Sequence, residues 1–389
     1  MASKAEPPRR VSIYEDPAQN LERVGATGPP TGMQKVLLVE RAGSELKFIL
    51  VHAMYQIEDA GTIDMPSTDS IIPDLESLSR FLGQLSQVRY ADASGQRSQL
   101  LNLAGHGSAL FAKFVPDTLR SKIAAWPDGT WVAISSDEQW IPWELLHDGN
   151  DFLGSKFALF RLPRGLGVAP SGALDPARDL EDAVSVASIL HVIGGGLTAQ
   201  QVEASKRHFA GTGAGIKVTT LEGCKLAEFL DHLSATSFVH LTCHGYRNPA
   251  RLRIAREDDE TVSFSVHSLA PAEVKLQRHC VVFANACHSA SPEPQFGDFT
   301  SFAQEFYRKG ARVFIGTLAA VPTDAALQFA QRFYDVLFTG NGASVVHAYA
   351  CARRSKGDAG ATDLLYCFFG NPLVGTRVSA YSGETVNVA

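Results

Sequence analysis

The stretch CVVFANACHSA, residues 280–290, passes from an apolar run directly into small and polar side chains. A continuous apolar run of this length is typical of a strand buried on both faces of a sheet. Its polar end has two interpretations. Either a core strand happens to end near a cysteine, or the strand presents a nucleophile at its carboxyl end.

Strand-like apolar runs alternate with amphipathic helical patterns on both sides of this stretch. The runs are AVSVASILHVIGG (183–195), GIKVTTLEG (215–223), SFVHLTCHG (237–245) and ARVFIGTLA (311–319). This alternation predicts an α/β fold with a parallel-rich sheet flanked by helices on both faces. In such sheets, ligands and reactive groups gather beyond the carboxyl ends of the strands.

The composition divides the chain into five segments. Residues 1–34 combine Pro, Gly and charge without apolar periodicity, which predicts a flexible leader. Residues 35–165 form an N-terminal half, and the Gly- and Pro-containing residues 166–182 are the predicted linker. The alternating strands and helices occupy residues 183–378, and residues 379–389 form a C-terminal tail.

Three local patterns stand out in the N-terminal half. KVLLVERA (35–42) and LKFILVHAMY (46–55) predict paired strands around a turn. DLESLSRFLGQLSQVRY (74–90) and ALFAKFVPDTLRSKIAAW (109–126) each have the period of a helix.

Composition also limits the classes of function. The 35 Lys and Arg residues against 41 Asp and Glu give a net charge of −6, which provides no basic footprint for direct nucleic-acid binding. We see no signal peptide and no membrane-spanning run, which predicts a cytoplasmic protein without a membrane partner. The six cysteines all lie in the second half and none forms a CxxC pair. They therefore predict reduced thiols, with no disulfide framework, metal or cofactor.

Two strands of the second half end in residues that suit nucleophilic catalysis. SFVHLTCHG ends in His244 and Gly245, and the strand that begins at 280 leads to Cys287. If the two strands are neighbours, an imidazole and a thiol lie side by side and form a dyad. His244 would take the thiol proton and return it to the leaving amine, and the backbone N–H groups of Gly245 and Cys287 would bind the oxyanion.

Other cysteines and histidines are weaker candidates. Alternation along the strand places His240 and His244 on one face and Cys243 on the other, and Cys280 begins its strand and is expected in the core. His288 could compete as the base, but it follows the nucleophile directly. A zinc site is an alternative by residue type, yet it contains no CxxC ligand pair. Its ligands would be His240, Cys243, His244, Cys287 and His288.

The two strand ends resemble a known family. FVHLTCHG (238–245) and VVFANACHSA (281–290) are similar to the His-Gly and Ala-Cys motifs of the CHAT-type, caspase-like cysteine peptidases, within the group that includes caspases, separases and clostripain. The resemblance covers about residues 100–375. It includes IPWELLHDGNDFLGSKFALFRLPR (141–164), YRKGARVFIGTLAAVPTDAALQFAQRFYDVLFTG (307–340) and YCFFGNP (366–372).

The resemblance implies a fold and an activity. Residues 35–165 would be a noncatalytic, pseudo-caspase-like or accessory half, and residues 183–378 the catalytic caspase-like half. The protein would be a cysteine endopeptidase that acts on a protein substrate and needs no cofactor. Members commonly serve in prokaryotic defence or cell death, held inactive until a partner protein, ligand or cleavage event signals. The opposing hypothesis is a catalytically silent scaffold that binds a partner protein.

Substrate selection leaves alternatives open. Relatives often carry Trp-x-Val-x-Asp after the strand that follows the nucleophile, whereas GTLAAVPTD has Ala319 in the Trp position and Thr323 in the acidic position, with Asp324 one step later. Asp298 is a candidate for a pocket that selects Lys or Arg, and it is equally suited to cap the helix that follows. The substrate-binding candidates are therefore Asp298, Ala319 and Asp324, and an apolar preference opened by Ala319 remains an alternative.

One glycine-rich stretch has no assigned chemistry. VIGGGLTAQQ (192–201) follows a predicted strand, but it lacks the GxGxxG and GxxxxGK[ST] spacings of phosphate-binding loops. It is expected to form an ordinary turn from strand to helix.

Overall fold

The computed structural model describes most of residues 34–377. The described ranges are 34–52, 57–64, 77, 82, 93–136, 138–163, 184–209, 216–246, 250–256, 264–271, 273–276, 280–291, 293–295, 298–339, 345–354, 360–370 and 376–377. The predicted linker and tail lie outside the described residues, as does the leader apart from Gln34. The helix predicted over 74–90 also lies outside them, except for residues 77 and 82.

Within the described chain, eleven strands form one sheet. In sheet order, with numbers that follow the chain, they are β3 (Ile57–Asp64), β2 (Glu45–His52), β1 (Gln34–Ala42), β4 (Trp131–Ser136), β5 (Ala158–Pro163), β17 (Tyr366–Gly370), β16 (Ala311–Thr317), β13 (Cys280–Asn285), β9 (Phe238–Thr242), β7 (Ser188–Ile193) and β8 (Lys217–Glu222). The shorter strands are β6 (Val184–Ser185), β10 (His244–Tyr246), β11 (Arg251–Arg253), β12 (Phe264–Ser265), β14 (Glu293–Gln295), β15 (Asp298–Thr300) and β18 (Thr376–Arg377).

The sheet is mixed and mostly parallel. Strands β16, β13, β9, β7 and β8 pair in parallel, as do β1, β4, β5 and β17. The antiparallel pair β16–β17 joins these two blocks. The predicted hairpin is confirmed, because β1 and β2 pair antiparallel from Lys35 opposite His52 to Ala42 opposite Glu45. The parallel-rich sheet predicted from the alternation thus runs without interruption through both predicted halves.

Helices flank the sheet. They are α1 (Ala93–Phe114), α2 (Asp117–Ala124), α3 (Leu153–Lys156), α4 (Ala199–Arg207), α5 (Leu226–Leu233), α6 (Phe302–Arg308), α7 (Thr323–Thr339) and α8 (Val345–Arg354). Single 3-10 turns occupy Trp143–Leu145, Val266–Leu269 and Gly360–Leu365. No helix among the described residues has the length and apolarity needed to cross a bilayer.

The core consists of two apolar clusters, and alternate residues of β9 contribute to different ones. Phe238 belongs to a cluster with buried residues of α1, α7 and α8, whereas Val239 and Leu241 belong to a cluster with residues of α5 and α6. This division follows from the period of two in a strand. It confirms the prediction that this strand is buried on both sides.

The helical pattern over 109–126 is divided between two helices. Helix α1 ends at Phe114, and α2 begins at Asp117 after Pro116, whose ψ of 140° is extended. Proline lacks a backbone donor and disfavours helical geometry in the residue before it. A single helix over this stretch is therefore wrong.

A buried ion pair lies beside the contact of β5 with β17. Arg161 of β5 is opposite Phe369 of β17. Its Nε donates to Glu144 Oε1 at 2.9 Å, a second guanidinium nitrogen donates to the other carboxylate oxygen, and Nη1 donates to the carbonyl of Gln139 at 2.8 Å. Burial alone would raise the pKa of Glu144, but Arg161 holds that pKa below its ordinary value.

Candidate active site

The two strand ends singled out by the sequence lie side by side. Strands β9 and β13 are parallel neighbours, and Thr242 is opposite Asn285 at the last position of their register. His244 and Cys287 each follow two residues later, so both lie just beyond the carboxyl ends of their strands, on the same side of the sheet. The predicted adjacency of the two strands is confirmed.

His244 and Cys287 line one cleft. It has about 380 Å³ of empty space, part of it open to solvent. The described residues that line it come from the carboxyl ends of β7, β9, β13 and β16 and from the start of α7. They are Leu197, Thr242, Cys243, His244, Asn285, Ala286, Cys287, Thr317, Val321, Thr323, Ala326 and Leu327.

The thiol of Cys287 is half-buried and contacts the backbone of the segment before α7. The backbone N–H of Val321 points to Sγ with an N···S distance of 3.4 Å, and Sγ lies 3.7 Å from the Val321 carbonyl oxygen. Burial raises the pKa of the Cys287 thiol, and the N–H groups of Val321, Cys287 and Gly245 offset part of that increase. In this arrangement the thiol is protonated at neutral pH.

The imidazole of His244 contacts the glycine-rich turn after β7. Its Nε2 lies 3.4 Å from the carbonyl oxygen of Gly196. Gly196 has a φ of 85°, and a Cβ at this position would stand 3.1 Å from Cδ2 of His244. The glycine thus allows both the left-handed backbone and the close approach of the imidazole. Among the described contacts, no hydrogen bond joins the imidazole to the Sγ of Cys287.

Gly245 packs directly on the backbone of Cys287. A Cβ on Gly245 would lie 1.8 Å from the carbonyl oxygen of Cys287, a distance that no side chain can occupy. The N–H groups of Gly245 and Cys287 both lower the pKa of the Cys287 thiol, which means that both act on the sulfur. Two backbone donors besides Val321 therefore lie close to the sulfur.

The weaker cysteine candidates lie in the core. Cys280 is fully buried, Cys243 is 6% exposed, and burial raises the pKa of both thiols. His288 adopts a φ of 58° and donates its backbone N–H to the carbonyl of Ala319 at 3.2 Å, and it does not line the cleft. No group of His, Cys, Asp or Glu within the described ranges could hold a metal ion.

The substrate-binding candidates stand in different places. Ala319 is buried, and its carbonyl accepts hydrogen bonds from the Thr317 hydroxyl and from the N–H of His288. Asp324 is exposed in the first turn of α7. Neither lines the cleft, whereas Thr323 does.

Asp298 begins β15, with its backbone paired to Gln295. The cap of the following helix α6 is Ser301, whose Oγ accepts from the N–H of Gln304 at 3.3 Å. The alternative role predicted for Asp298 as a helix cap is therefore wrong.

Asn285 was not singled out by the sequence as a site residue. Its Nδ2 donates to the carbonyl of Ala326 at 3.0 Å, and its Oδ1 accepts from the Tyr366 hydroxyl at 2.7 Å. Because alternate residues of a strand share a face, its position two residues before Cys287 could have indicated that it borders Cys287. Leu197 and Val321 come from loops, where no sequence period identifies them.

A chain of buried hydrogen bonds continues from the cleft into the core. Thr242 Oγ1 lies 2.9 Å from His240 Nε2 and 2.8 Å from Ser205 Oγ. Tyr334 contacts His240 Nδ1 at 2.9 Å, and Ser205 contacts His191 Nε2 at 2.8 Å. Burial lowers the pKa of His240 well below its ordinary value and that of His191 to about 3, so both imidazoles are neutral.

Comparisons with known proteins were made for the family, the sequence and the fold. The model of the CHAT domain family matches residues 105–356. A search of curated protein sequences finds no match. The structure of the Saccharomyces cerevisiae separase–securin complex is similar, with a TM-score of 0.58 and 11% identity over 93% of this chain and 31% of the matched chain. The complex of Porphyromonas gingivalis RgpB pro- and mature domains matches with a TM-score of 0.42 and 12% identity, over 78% of this chain and 77% of that one.

The fold is that of the caspase-like cysteine proteases, a mostly parallel sheet flanked by helices. The family model covers more than half of the sequence, and the chain therefore belongs to the CHAT domain family. The chain spans about a third of the length of the separase-complex chain that it matches.

Proposed function

We propose that this protein is a cysteine endopeptidase that cleaves a protein substrate through His244 and Cys287. The observation that carries the proposal is the register of β9 and β13. It brings the two residues together at the carboxyl ends of neighbouring strands and into one cleft. A thiol and an imidazole at the mouth of a cleft are the components of nucleophilic acyl transfer.

The proposed reaction has two stages. His244 takes the proton from Cys287, Sγ attacks the carbonyl carbon of the peptide, and the amine departs with the proton that His244 returns. Water then attacks the thioester, loses a proton to His244, and releases the carboxylate with the thiol restored. In both stages the N–H groups of Gly245 and Cys287 would bind the oxyanion, in keeping with their position beside the sulfur.

The contacts of the free protein support a regulated enzyme. The sulfur contacts Val321 and the Nε2 of the imidazole contacts Gly196, and no described hydrogen bond joins the two side chains. We propose that substrate binding, or a partner protein, brings the two side chains together. The resemblance to the family is the ground for proposing a role in prokaryotic defence or cell death.

The competing function is a scaffold that binds a partner and does no chemistry. The raised pKa of the Cys287 thiol and the separate contacts of the two side chains favour it. The scaffold gives no reason for Gly245 to pack on the backbone of Cys287 with backbone N–H groups that lower the pKa of its thiol.

Labelling with peptidyl electrophiles distinguishes the two functions. The wild type, Cys287→Ala and His244→Ala should be treated with a panel of acyloxymethyl ketone peptides, with and without extract of the source cell, and analysed by peptide mass spectrometry. Cys351 is the other cysteine that is not fully buried, so Cys351→Ser is the matched control. A peptidase is labelled at Cys287 by the peptide probe, the labelling requires His244, and Cys351→Ser keeps it. Absence of labelling under both conditions would establish the scaffold.

A further inference from the structure

We infer that the cleft beside Cys287 selects an uncharged, apolar side chain of the leucine or methionine type in the residue before the scissile bond. The inference rests on the proposed function and names its substrate class. It arises from the chemistry of the described lining, in which no residue other than His244 is ionisable apart from the two cysteines.

The aliphatic part of the cleft comes from three elements. Leu197 follows β7, Val321 precedes α7, and Ala326 and Leu327 belong to its first two turns. These side chains offer contact surface without a hydrogen-bonding group. An apolar side chain that enters the cleft gains about 25 cal/mol for each Å² removed from water.

The polar side chains of the lining are already engaged within the protein. Both ends of the Asn285 amide are bonded, to Ala326 and Tyr366, and the Thr317 hydroxyl lies within 2.8 Å of the Ala286 carbonyl. The Thr242 hydroxyl is held between His240 and Ser205. These groups have partners before the substrate arrives, and a charged side chain in the cleft would lose water without gaining an equivalent bond.

The described lining at the start of α7 carries no countercharge for Lys or Arg. Thr323 lines the cleft at the start of α7, whereas the carboxylate one residue later, Asp324, is exposed and outside the lining. Adjacent residues at the start of a helix point in directions about 100° apart, because a helix has 3.6 residues per turn. The one-residue displacement of the acid therefore removes it from the cleft.

The start of α7 also fails to favour an acidic substrate. Helix N-termini attract anions through their unbonded N–H groups and the positive end of the dipole. Here Asp324 places a negative charge in the first turn. This charge reduces the attraction for an Asp side chain.

The test is a comparison of labelling rates at Cys287 for matched peptide electrophiles that differ only in the last residue, with Leu, Met, Phe, Arg, Lys or Asp. The Leu and Met probes should label about tenfold faster or more than the Arg, Lys and Asp probes. Faster labelling by Arg, Lys or Asp would overturn this inference and leave the proposed function intact. Failure of every probe would overturn the proposed function and this inference with it.

A substitution at Thr323 tests the assignment of the cleft. Thr323→Asp places a carboxylate in the lining, and it should raise the Arg-to-Leu ratio of labelling rates by about tenfold. Thr323→Asn is the matched control, since it is similar in size and uncharged, and it should keep Leu ahead of Arg. Asp and Asn are both well accepted at helix starts, which makes loss of folding a poor explanation for a difference. Equal ratios in the two variants would show that Thr323 does not face the substrate and would overturn the inference.

Discussion

The Sγ of Cys287 lies 3.4 Å from the backbone nitrogen of Val321, while the Nε2 of His244 lies 3.4 Å from the carbonyl oxygen of Gly196. Burial raises the pKa of the thiol, and the surrounding N–H groups compensate only in part. The proposed nucleophile is therefore a thiol and not a thiolate in the free protein, which is what we expect if the proposed protease waits for a signal or a substrate.

The first prediction concerns the reactivity of Cys287 toward a small alkylating agent. The thiolate is the reactive form, so alkylation of the free protein by iodoacetamide should be slow at neutral pH and should still be rising above pH 9.0, the ordinary pKa of the thiol. Rates are measured by mass spectrometry of the peptide that carries Cys287, in a Cys351→Ser background. A rate that reaches its plateau below pH 8 would show that the free protein already holds a thiolate.

The second prediction concerns Gly245. Gly245→Ala places a Cβ 1.8 Å from the carbonyl oxygen of Cys287, so the two backbones have to separate and one oxyanion donor is displaced. The rate of labelling by a peptidyl electrophile should fall by about 10²-fold or more, the effect of removing one such donor.

Gly105→Ala is the matched control for Gly245→Ala. It lies within α1 with no atom within 4 Å of the added Cβ, and it should leave labelling unchanged. Equal rates for Gly245→Ala and the wild type would exclude Gly245 from the oxyanion site.

The third prediction concerns the buried histidines behind Thr242. Burial lowers the pKa of His191 to about 3 and that of His240 well below its ordinary value of 6.5. The unfolded chain therefore binds more protons than the folded one below pH 6.5, and stability present above that pH is lost as pH falls toward the folded pKa. Each buried histidine should lower the free energy of unfolding by about 1.4 kcal/mol between about pH 7.5 and about pH 5.5.

Urea unfolding at the two pH values tests this expectation. His191→Gln keeps an atom that can hydrogen-bond to Ser205 and removes the titrating group, so its stability should fall less on acidification, by about 1.4 kcal/mol. His232→Gln, in the last turn of α5, is the control for the substitution itself. The same loss on acidification in His191→Gln and in the wild type would contradict a neutral buried imidazole at this position.

The sequence predicted the elements whose residues alternate regularly. The apolar runs before His244 and Cys287 specify strands buried on both faces. Their polar ends identify the carboxyl ends of the strands, beyond which the two residues lie. The hairpin of β1 and β2 could also be predicted from the sequence, because its turn separates two apolar runs.

The cleft was harder to predict because its walls come from irregular segments. Leu197 and Val321 lie in loops, and their placement depends on how the turn after β7 and the segment before α7 pack on the strand ends. Gly196 belongs to a glycine run that any tight turn would explain, and only the structure brings its carbonyl to His244. The catalytic and substrate-binding roles of the named residues remain predictions, as do the boundaries of the two halves.

The last prediction concerns the buried ion pair between Arg161 and Glu144. Both side chains are at most 2% exposed, so removing Arg161 leaves the Glu144 carboxylate buried without its hydrogen-bonded partner, with only the more distant influence of Arg353. Arg161→Met should lower the free energy of unfolding by about 3–5 kcal/mol in urea titrations. The double variant Arg161→Met/Glu144→Leu should recover most of this loss, because an apolar pair of similar volume replaces both charges.

Arg308→Met is the matched control for the ion pair. It removes an exposed arginine that contacts Glu305 one turn earlier on α6, and it should lower the free energy of unfolding by at most about 1 kcal/mol.

The pair of Arg161 and Glu144 lies beside the contact of β5 with β17, through which the first strands of the chain join the sheet that carries the cleft. Loss of the pair should therefore lower the stability of one cooperative unit and shift a single unfolding transition. Separate transitions in Arg161→Met, one for each predicted half, would show that the continuous sheet does not couple them.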